Sequence, residues 1–291
     1  MPTSTLLNPW TVPREDGVRS CLEGAFFGRL VKGLLRAAPG GRVLDLGCGD
    51  GLVHRLAGDV MRSYLGLDLH PAPGAPSVRQ DLRDGLGPAG REPFDVCVAT
   101  FGVASHIEPR ELVRLLAEVA AAAAPGALVA IEALGLHSLE WPGVWMEPPG
   151  PARVLSYRLT GEMNVHAWAP DELRRLLVDS GLRWIGALDR TVQAGPKLGE
   201  YWPGLPPLRK GFAQLLAGER LGAELVCESL PPLPAHPAAR VHHEMARARR
   251  ELIGTGSHLD PQAMARAVWA LERRPAAGVG HGLVALARKP S

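Results

Sequence analysis

Nine residues, Val43-Leu44-Asp45-Leu46-Gly47-Cys48-Gly49-Asp50-Gly51, constrain this chain more than any other stretch. An apolar run meets an acid and then glycines at alternate positions. Leu52, Val53, Leu56, Ala57 and Val60 follow at helical spacing. Such a strand–turn–helix unit lets a ligand approach bare backbone at the carboxyl end of a parallel strand. The dinucleotide fingerprint G-x-G-x-x-G requires a third glycine at position 52, where Leu52 stands, so that fingerprint fails. What remains is D-x-G-x-G. A carboxylate beside free N–H donors suits a ligand that carries both an ammonium and a carboxylate.

Two further acids come at strand ends. Ser63-Tyr64-Leu65-Gly66-Leu67-Asp68-Leu69 reads as a second short strand and Val78-Arg79-Gln80-Asp81-Leu82 as a third. A carboxylate at the tip of the second strand can accept both hydroxyls of a ribose. Singly, Asp68 and Asp81 read better as solvated turn acids or helix N-caps.

Together these residues resemble the cofactor motifs of class I S-adenosylmethionine-dependent methyltransferases of the small-molecule type. The resemblance implies that Gly47, Cys48 and Gly49 accommodate the methionine part of the cofactor and that Asp45 orients its ammonium. It implies that Asp68, with Leu69 beside it, receives the ribose. Asp81 would take the adenine amine, the Leu82 N–H a ring nitrogen, and Thr100 would border the site after the fourth strand. The implied cofactor is S-adenosyl-L-methionine, with S-adenosyl-L-homocysteine as product.

The rest of the chain fits an α/β fold, a Rossmann-like seven-stranded, mostly parallel sheet with helices on both faces. Residues 14–37 are helical in periodicity, with Phe26 or Phe27 as possible lining of the site. Phe94 to Thr100 is a fourth strand, and a helix starts at Pro109 and stops at Pro125-Gly126. Ala127 to Ala133 follows as a fifth strand, Arg183 to Asp189 as a sixth and Gly282 to Ala287 as a seventh. Between strands five and six, Leu134 to Trp168 is an extension carrying Trp141, Trp145, Tyr157 and Trp168. Pro170, Asp171 and Glu172 then begin a helix stopped by Gly181. Helical stretches near 208–227, 240–253 and 261–273 form a helical insert before the last strand. The expected division is an N-terminal helical cap (1–40), a cofactor-binding core (41–192), a helical insert or lid (193–280) and the final core strand (281–291).

Charge argues against a polyanionic partner. Thirty-two basic residues balance 30 acidic ones, a net +2, which leaves no broad footprint for nucleic acid. The four cysteines (Cys21, Cys48, Cys97, Cys227) are scattered without metal-like spacing. With no signal-peptide pattern at Met1 to Trp10 and no membrane-length apolar run, a soluble cytoplasmic protein is expected.

Methyl transfer from a sulfonium is an in-line displacement, so alignment and exclusion of water matter most. A hydroxyl acceptor benefits from a base, an amine must arrive unprotonated, and a carboxylate needs neither. His106, just beyond the fourth strand, is the first candidate base, with a helix-capping role as the alternative. Glu132 and His137 come second and His166 third. Adjacent His242 and His243, with Glu244, cannot easily grip one ion from a helix, so no metal is expected. Those residues, with Arg247, Arg249 and Arg250, are expected on a solvated face. After strand four the chain reads Thr100-Phe101-Gly102-Val103, not the Asp/Asn-Pro-Pro-aromatic of amide- and base-methylating relatives. A small organic acceptor is therefore expected, with O-, N- and C-methylation open. The alternatives are a non-methylating S-adenosylmethionine enzyme and a non-catalytic binding protein.

Overall fold

The computed structural model describes residues 17–148, 153–158, 162–195, 201–202, 208–219, 230–256 and 258–291. Its centre is β1 (Arg42–Leu46), which is apolar on both faces and is therefore buried on both. β2 (Ser63–Asp68) and β4 (Phe94–Ala99) flank it in parallel, and β3 (Ser77–Arg79) and β5 (Ala123–Gly135) extend the sheet outward. β10 (Gly282–Arg288) then pairs antiparallel with β5 and with β8 (Arg183–Arg190). The resulting order is β3-β2-β1-β4-β5-β10-β8, closed by the two-residue β9 (Arg274–Pro275). The seven expected strands are all present, in a mostly parallel sheet with helices on both faces.

Alternation along the strands assigns the two faces. Val43, Val96, Val98, Leu128 and Ala130 meet Val31 and Leu34 of α1 (Gly24–Ala37) and Val53 and Ala57 of α2 (Leu52–Ala57). Leu44, Leu46, Cys97, Val129 and Ile131 meet Leu112, Leu116 and Val119 of α3 (Pro109–Ala122) and Leu173 and Leu177 of α4 (Pro170–Asp179). Asp45 shares the α1/α2 side with Val43, and that parity decides what it can touch.

Several boundaries differ from the sequence reading. Helix α3 ends at Ala122 and β5 begins at once at Ala123, so Pro125-Gly126 lies within the strand. The β4–β5 register jumps there from Phe94–Ala123 to Val96–Leu128, and Gly126 takes φ +79°. The pair makes a bulge instead of a helix stop. β3 ends at Arg79, because Asp81 turns the chain by capping a short 3₁₀ turn, Leu82–Asp84. The extension after β5 holds an antiparallel hairpin, β6 (Val154–Arg158) and β7 (Glu162–Trp168), whose second strand pairs with the end of β5.

Between β8 and β9 lie α5 (Leu208–Leu216), α6 (Pro237–Thr255) and α7 (Pro261–Leu271). The expected reach of the first of these to 227 falls largely outside the described residues. Phe212, Leu215, Val268 and Trp269 pack with Val18 and Leu22 of the wide π turn Val18–Glu23 that leads into α1. The solvated-face reading of α6 fails for two residues. His242 is fully buried, stacks on Trp145 at 5.5 Å and bonds through Nε2 to the His137 carbonyl. Arg249 is buried too, against the buried carboxylate of Glu272. Charge alone did not reveal that α6 is packed on two sides.

Candidate functional site

The three glycines of the first motif all adopt left-handed backbone, with φ of +67° at Gly47, +56° at Gly49 and +71° at Gly51. A β-carbon at Gly47 would run into the Val103 side chain. Glycine is required there by conformation and by space. The N–H groups of Gly47 and Cys48 both donate to the Leu67 carbonyl at the end of β2 (2.7 and 3.1 Å). Beneath this loop Asp45 is completely buried. Its Oδ2 accepts the Tyr64 hydroxyl at 2.7 Å, and its Oδ1 has no hydrogen-bond partner among the described residues. Burial pushes the Asp45 carboxyl up to about 7; the Tyr64 hydrogen bond opposes that and the charges of Asp68 and Asp50 add to it. The same burial, with Asp45 and Asp68 nearby, drives the Cys48 thiol to about 12. Cys48 is thus a packed, inert thiol whose Sγ lies where a Gly66 β-carbon would come within 2.6 Å.

Asp68 stands at the tip of β2, half-buried, and ties the loop after β1 to its own strand end. Oδ2 accepts the Gly49 N–H at 2.9 Å and Oδ1 accepts the His70 N–H at 2.8 Å. Each oxygen keeps a second lone pair for an incoming hydroxyl. Asp81 lies across the adjoining strand end, since the Gln80 N–H reaches the Asp68 carbonyl at 2.8 Å. The Asp81 carboxylate caps its turn through the Arg83 N–H and takes a forked contact from the Arg83 guanidinium, 2.6 Å at its shortest. That contact holds its carboxyl below the usual range. Leu69 and Leu82 follow these acids, both half-buried.

Next to β1, β4 ends at Ala99 with Thr100 buried behind it. Phe101 is left-handed at φ 58°, and its N–H donates to Glu132 Oε2. Glu132 Oε1 takes the Arg190 Nε at 2.5 Å, and Glu23 faces the same guanidinium at 3.5 Å. Burial pulls the Arg190 guanidinium down, but Glu132 and Glu23 outweigh it and hold it above its ordinary value. Phe27, Phe101 and Phe26 surround its face at 4.7, 5.5 and 5.9 Å. Glu132 is therefore a locked structural anion and unsuited to be a base. Phe26 and Phe27 pack with Val284 in the core.

The histidines separate in the same way. His137 Nδ1 donates to the Ala277 carbonyl (2.8 Å), and burial lowers its pKa from the ordinary value. His166 is buried with Nε2 at 3.3 Å from Glu108. His106 is exposed at the end of the Val103–His106 turn, its ring 6.5 Å from that of Tyr157. Tyr157 in turn reaches His281, with Oη 3.3 Å from Nε2, and His281 Nδ1 lies 2.6 Å from Oε2 of buried Glu140. No group of three His, Cys, Asp or Glu side chains fit to hold a metal ion occurs among the described residues.

A family model described as a methyltransferase domain matches residues 23–185, more than half of the chain. The chain belongs to the methyltransferase-domain family. The class I S-adenosylmethionine-dependent assignment drawn from Asp45, Gly47 and Gly49 stands, and S-adenosylmethionine is the cofactor. Among solved structures, a S-adenosylmethionine-dependent methyltransferase from Clostridium acetobutylicum is 11% identical at TM-score 0.46, over 59% of this chain and 86% of that one. A S-adenosylmethionine-bound amino pentose methyltransferase from Micromonospora echinaspora is 16% identical at TM-score 0.40, over 58% and 85%. A S-adenosylmethionine-dependent methyltransferase from Mesorhizobium loti is 16% identical at TM-score 0.43, over 90% and 97%. No curated protein matches the chain in sequence.

For this methyltransferase the loop between β1 and α2, beside the tip of β2, fits the cofactor on two observations. One is the orphaned, buried Asp45 Oδ1, an acceptor in need of a donor. The other is the trio of left-handed glycines, which leaves backbone where side chains would stand. Sequence reasoning missed Tyr64, Glu140 and His281. His281 had a usable signal. It directly precedes the last strand, which is antiparallel, so it enters at the edge where the parallel strands finish.

Proposed function

We propose that this methyltransferase, a cytoplasmic enzyme, transfers a methyl group to a small organic acceptor bound at the carboxyl ends of β1, β4 and β5. The observation that carries this reading is the enclosed, aromatic segment after β5. Trp141 and Trp145 are buried, and their indole N–H groups donate to the carbonyls of Gly135 and Ser138 (both 3.0 Å), pinning residues 135–145 beside the strand ends. Tyr157 from the β6–β7 hairpin packs against Trp141. Such a wall suits a compact ligand.

When bound, the cofactor supplies an electrophilic sulfonium methyl. In this reading Asp45 takes its ammonium, the Gly47–Cys48–Gly49 backbone faces its methionine part, and Asp68 with Leu69 receives the ribose. Asp81, Leu82 and Thr100 border the adenine side. The 193–280 insert, with α5–α7, serves as a lid, residues 1–40 are an N-terminal helical cap on the cofactor pocket, and 41–192 with 281–291 are the core. Holding nucleophile and methyl in line contributes on the order of 7–11 kcal/mol in well-oriented reactions.

The test is calorimetry with S-adenosylhomocysteine, followed by mass analysis of metabolites incubated with a deuterium-labelled methyl donor. Wild type should bind one equivalent, and Asp68→Asn should weaken binding by about 1.5–3 kcal/mol, the value of hydrogen bonds to a charged group. Unchanged affinity in that variant would remove Asp68 from the site. A labelled donor that never leaves its methyl on a small molecule would refute the acceptor class.

A further inference from the structure

We infer that His281, backed by Glu140, is the base that takes the proton from a hydroxyl acceptor. The inference rests on the methyltransferase reading above and narrows the acceptor to an alcohol, enol or phenol. Three observations carry it.

The first is placement. β10 runs against its neighbours, with Leu283 opposite both Ala133 of β5 and Asp189 of β8. Its leading residue, His281, therefore stands where those strands finish, the edge at which open α/β sheets bind ligands. A continuous set of contacts joins it to the cofactor loop. Val103 fills the space above Gly47, the turn Val103–His106 carries His106 to the ring of Tyr157, and Tyr157 touches His281.

The second is chemistry. Glu140 is buried, its carboxylate 2.6 Å from His281 Nδ1. A carboxylate there fixes the tautomer with the proton on Nδ1 and turns the Nε2 lone pair outward. It also stabilises the imidazolium that forms once Nε2 accepts a proton. Nε2 already faces a hydroxyl, that of Tyr157 at 3.3 Å, a long contact that an acceptor hydroxyl can replace.

The third removes the plain structural explanation, that the pair merely ties a loop. The loop before His281 is already tied. Asp189 accepts the N–H groups of Ala277 (2.7 Å), Gly280 (3.1 Å) and Val279 (3.3 Å). Gly135 adds its N–H to the Gly280 carbonyl. Setting His281 against the fully buried Glu140 carboxylate is costly and adds little to a loop whose main chain already makes four hydrogen bonds. A hydroxyl acceptor gains most from such a base, since it gives up its proton as its bond to carbon forms.

The step balances. Nε2 takes the hydroxyl proton, the acceptor oxygen forms the new O–CH₃ bond, and the C–S electron pair stays on sulfur, leaving a neutral thioether. The imidazolium then releases its proton to solvent.

The test compares wild type with His281→Gln and Glu140→Gln by three measurements. S-adenosylhomocysteine affinity by calorimetry should be the same in all three. Wild type should show a low-field ring N–H proton resonance that both variants lack, as a 2.6 Å hydrogen bond to a carboxylate requires. Methylation of the metabolite found with the labelled donor should place the label on oxygen and fall about 10²–10⁴-fold in His281→Gln, the usual range for losing a general base. Label on nitrogen or carbon, or wild-type turnover in His281→Gln with cofactor affinity intact, overturns the inference and leaves the cofactor site standing. Failure of wild type to bind S-adenosylhomocysteine overturns the methyltransferase site itself. A low-field proton that persists in Glu140→Gln overturns the pairing.

Discussion

In the proposed cofactor site, Asp45 ties binding to pH in a way that can be worked through. Burial raises its carboxyl from 3.8 to about 7. Because the folded pKa is raised, the group's contribution to stability is complete below about 3.8 and is lost as pH rises through about 7. Over that window the ligand-free protein gives up about 4 kcal/mol at this one residue, at about 1.36 kcal/mol per unit. An ammonium bound to Oδ1 reverses the preference, since it needs the carboxylate ionised. At pH 6 about one molecule in eleven carries the ionised form and at pH 8 about ten in eleven, so apparent affinity should fall about tenfold on going from pH 8 to pH 6. That is about 1.4 kcal/mol. Binding at pH 6 should release close to one proton per ligand and at pH 8 almost none. Isothermal calorimetry with S-adenosylhomocysteine in two buffers of different ionisation enthalpy measures both quantities. Asp45→Asn, with nothing to titrate, should bind weakly and show neither the slope nor the release. A flat wild-type affinity between pH 6 and 8, or an identical slope in Asp45→Asn, would refute the reasoning.

Two further perturbations probe the supports of the site. Gly47→Ala should cost about 1–2 kcal/mol from left-handed backbone alone, and more from overlap with Val103. Adding Val103→Ala should recover the overlap part, read by urea denaturation, and no recovery would show that the loop does not pack as described. Glu132→Ala should destabilise by about 3–5 kcal/mol, since it strands the buried Arg190 guanidinium and frees the Phe101 N–H. A loss below about 1 kcal/mol would mean that Glu23 alone satisfies Arg190.

How far the fold was legible follows from what each signal measures. Strands buried on both faces are continuous apolar runs, so β1, β4 and β10 were found almost to the residue, and β8 was found as well although Arg183 and Ile185 are exposed. The hairpin β6–β7 was missed although Leu155, Tyr157 and Val165 alternate with exposed Val154, Ser156 and Asn164. A two-residue period over five positions is easily lost beside tryptophans that suggest a wall. The Pro125-Gly126 pair signals a break, but the chain has two ways to accommodate one, and a bulge inside β5 serves as well as a turn. Asp45, Asp68 and Asp81 are brought to adjoining strand tips as their spacing implied. Their partners were invisible in sequence, because Tyr64 and Arg83 act through geometry that no motif encodes. His242 and Arg249 show the same limit from the other direction. Polar residues on a charged helix were read as solvated, and the burial comes from contacts more than a hundred positions away in one case.

The last strand decides how the two halves of the site relate. A fully parallel sheet would bring every strand's start to the far edge, and only the turns after β1, β2, β4 and β5 would reach the ligand. Reversing β10 between β5 and β8 adds a strand entry at that edge. The proposed cofactor site is thus built from strand ends, with backbone and carboxylates from β1 and β2. The ring of His281 enters from the opposite chain direction and meets Glu140 from the segment after β5. Arg190, one pair away across Gly282, joins β8 and β5 to the N-terminal helix through Glu132 and Glu23. A substitution that shifts β10 by one register position would move His281 away from Glu140 and separate proton acceptance from cofactor binding. Loss of turnover with cofactor affinity retained is therefore the signature to look for in variants of Gly280 and Gly282, whose added β-carbons would strike Arg190 and Glu132.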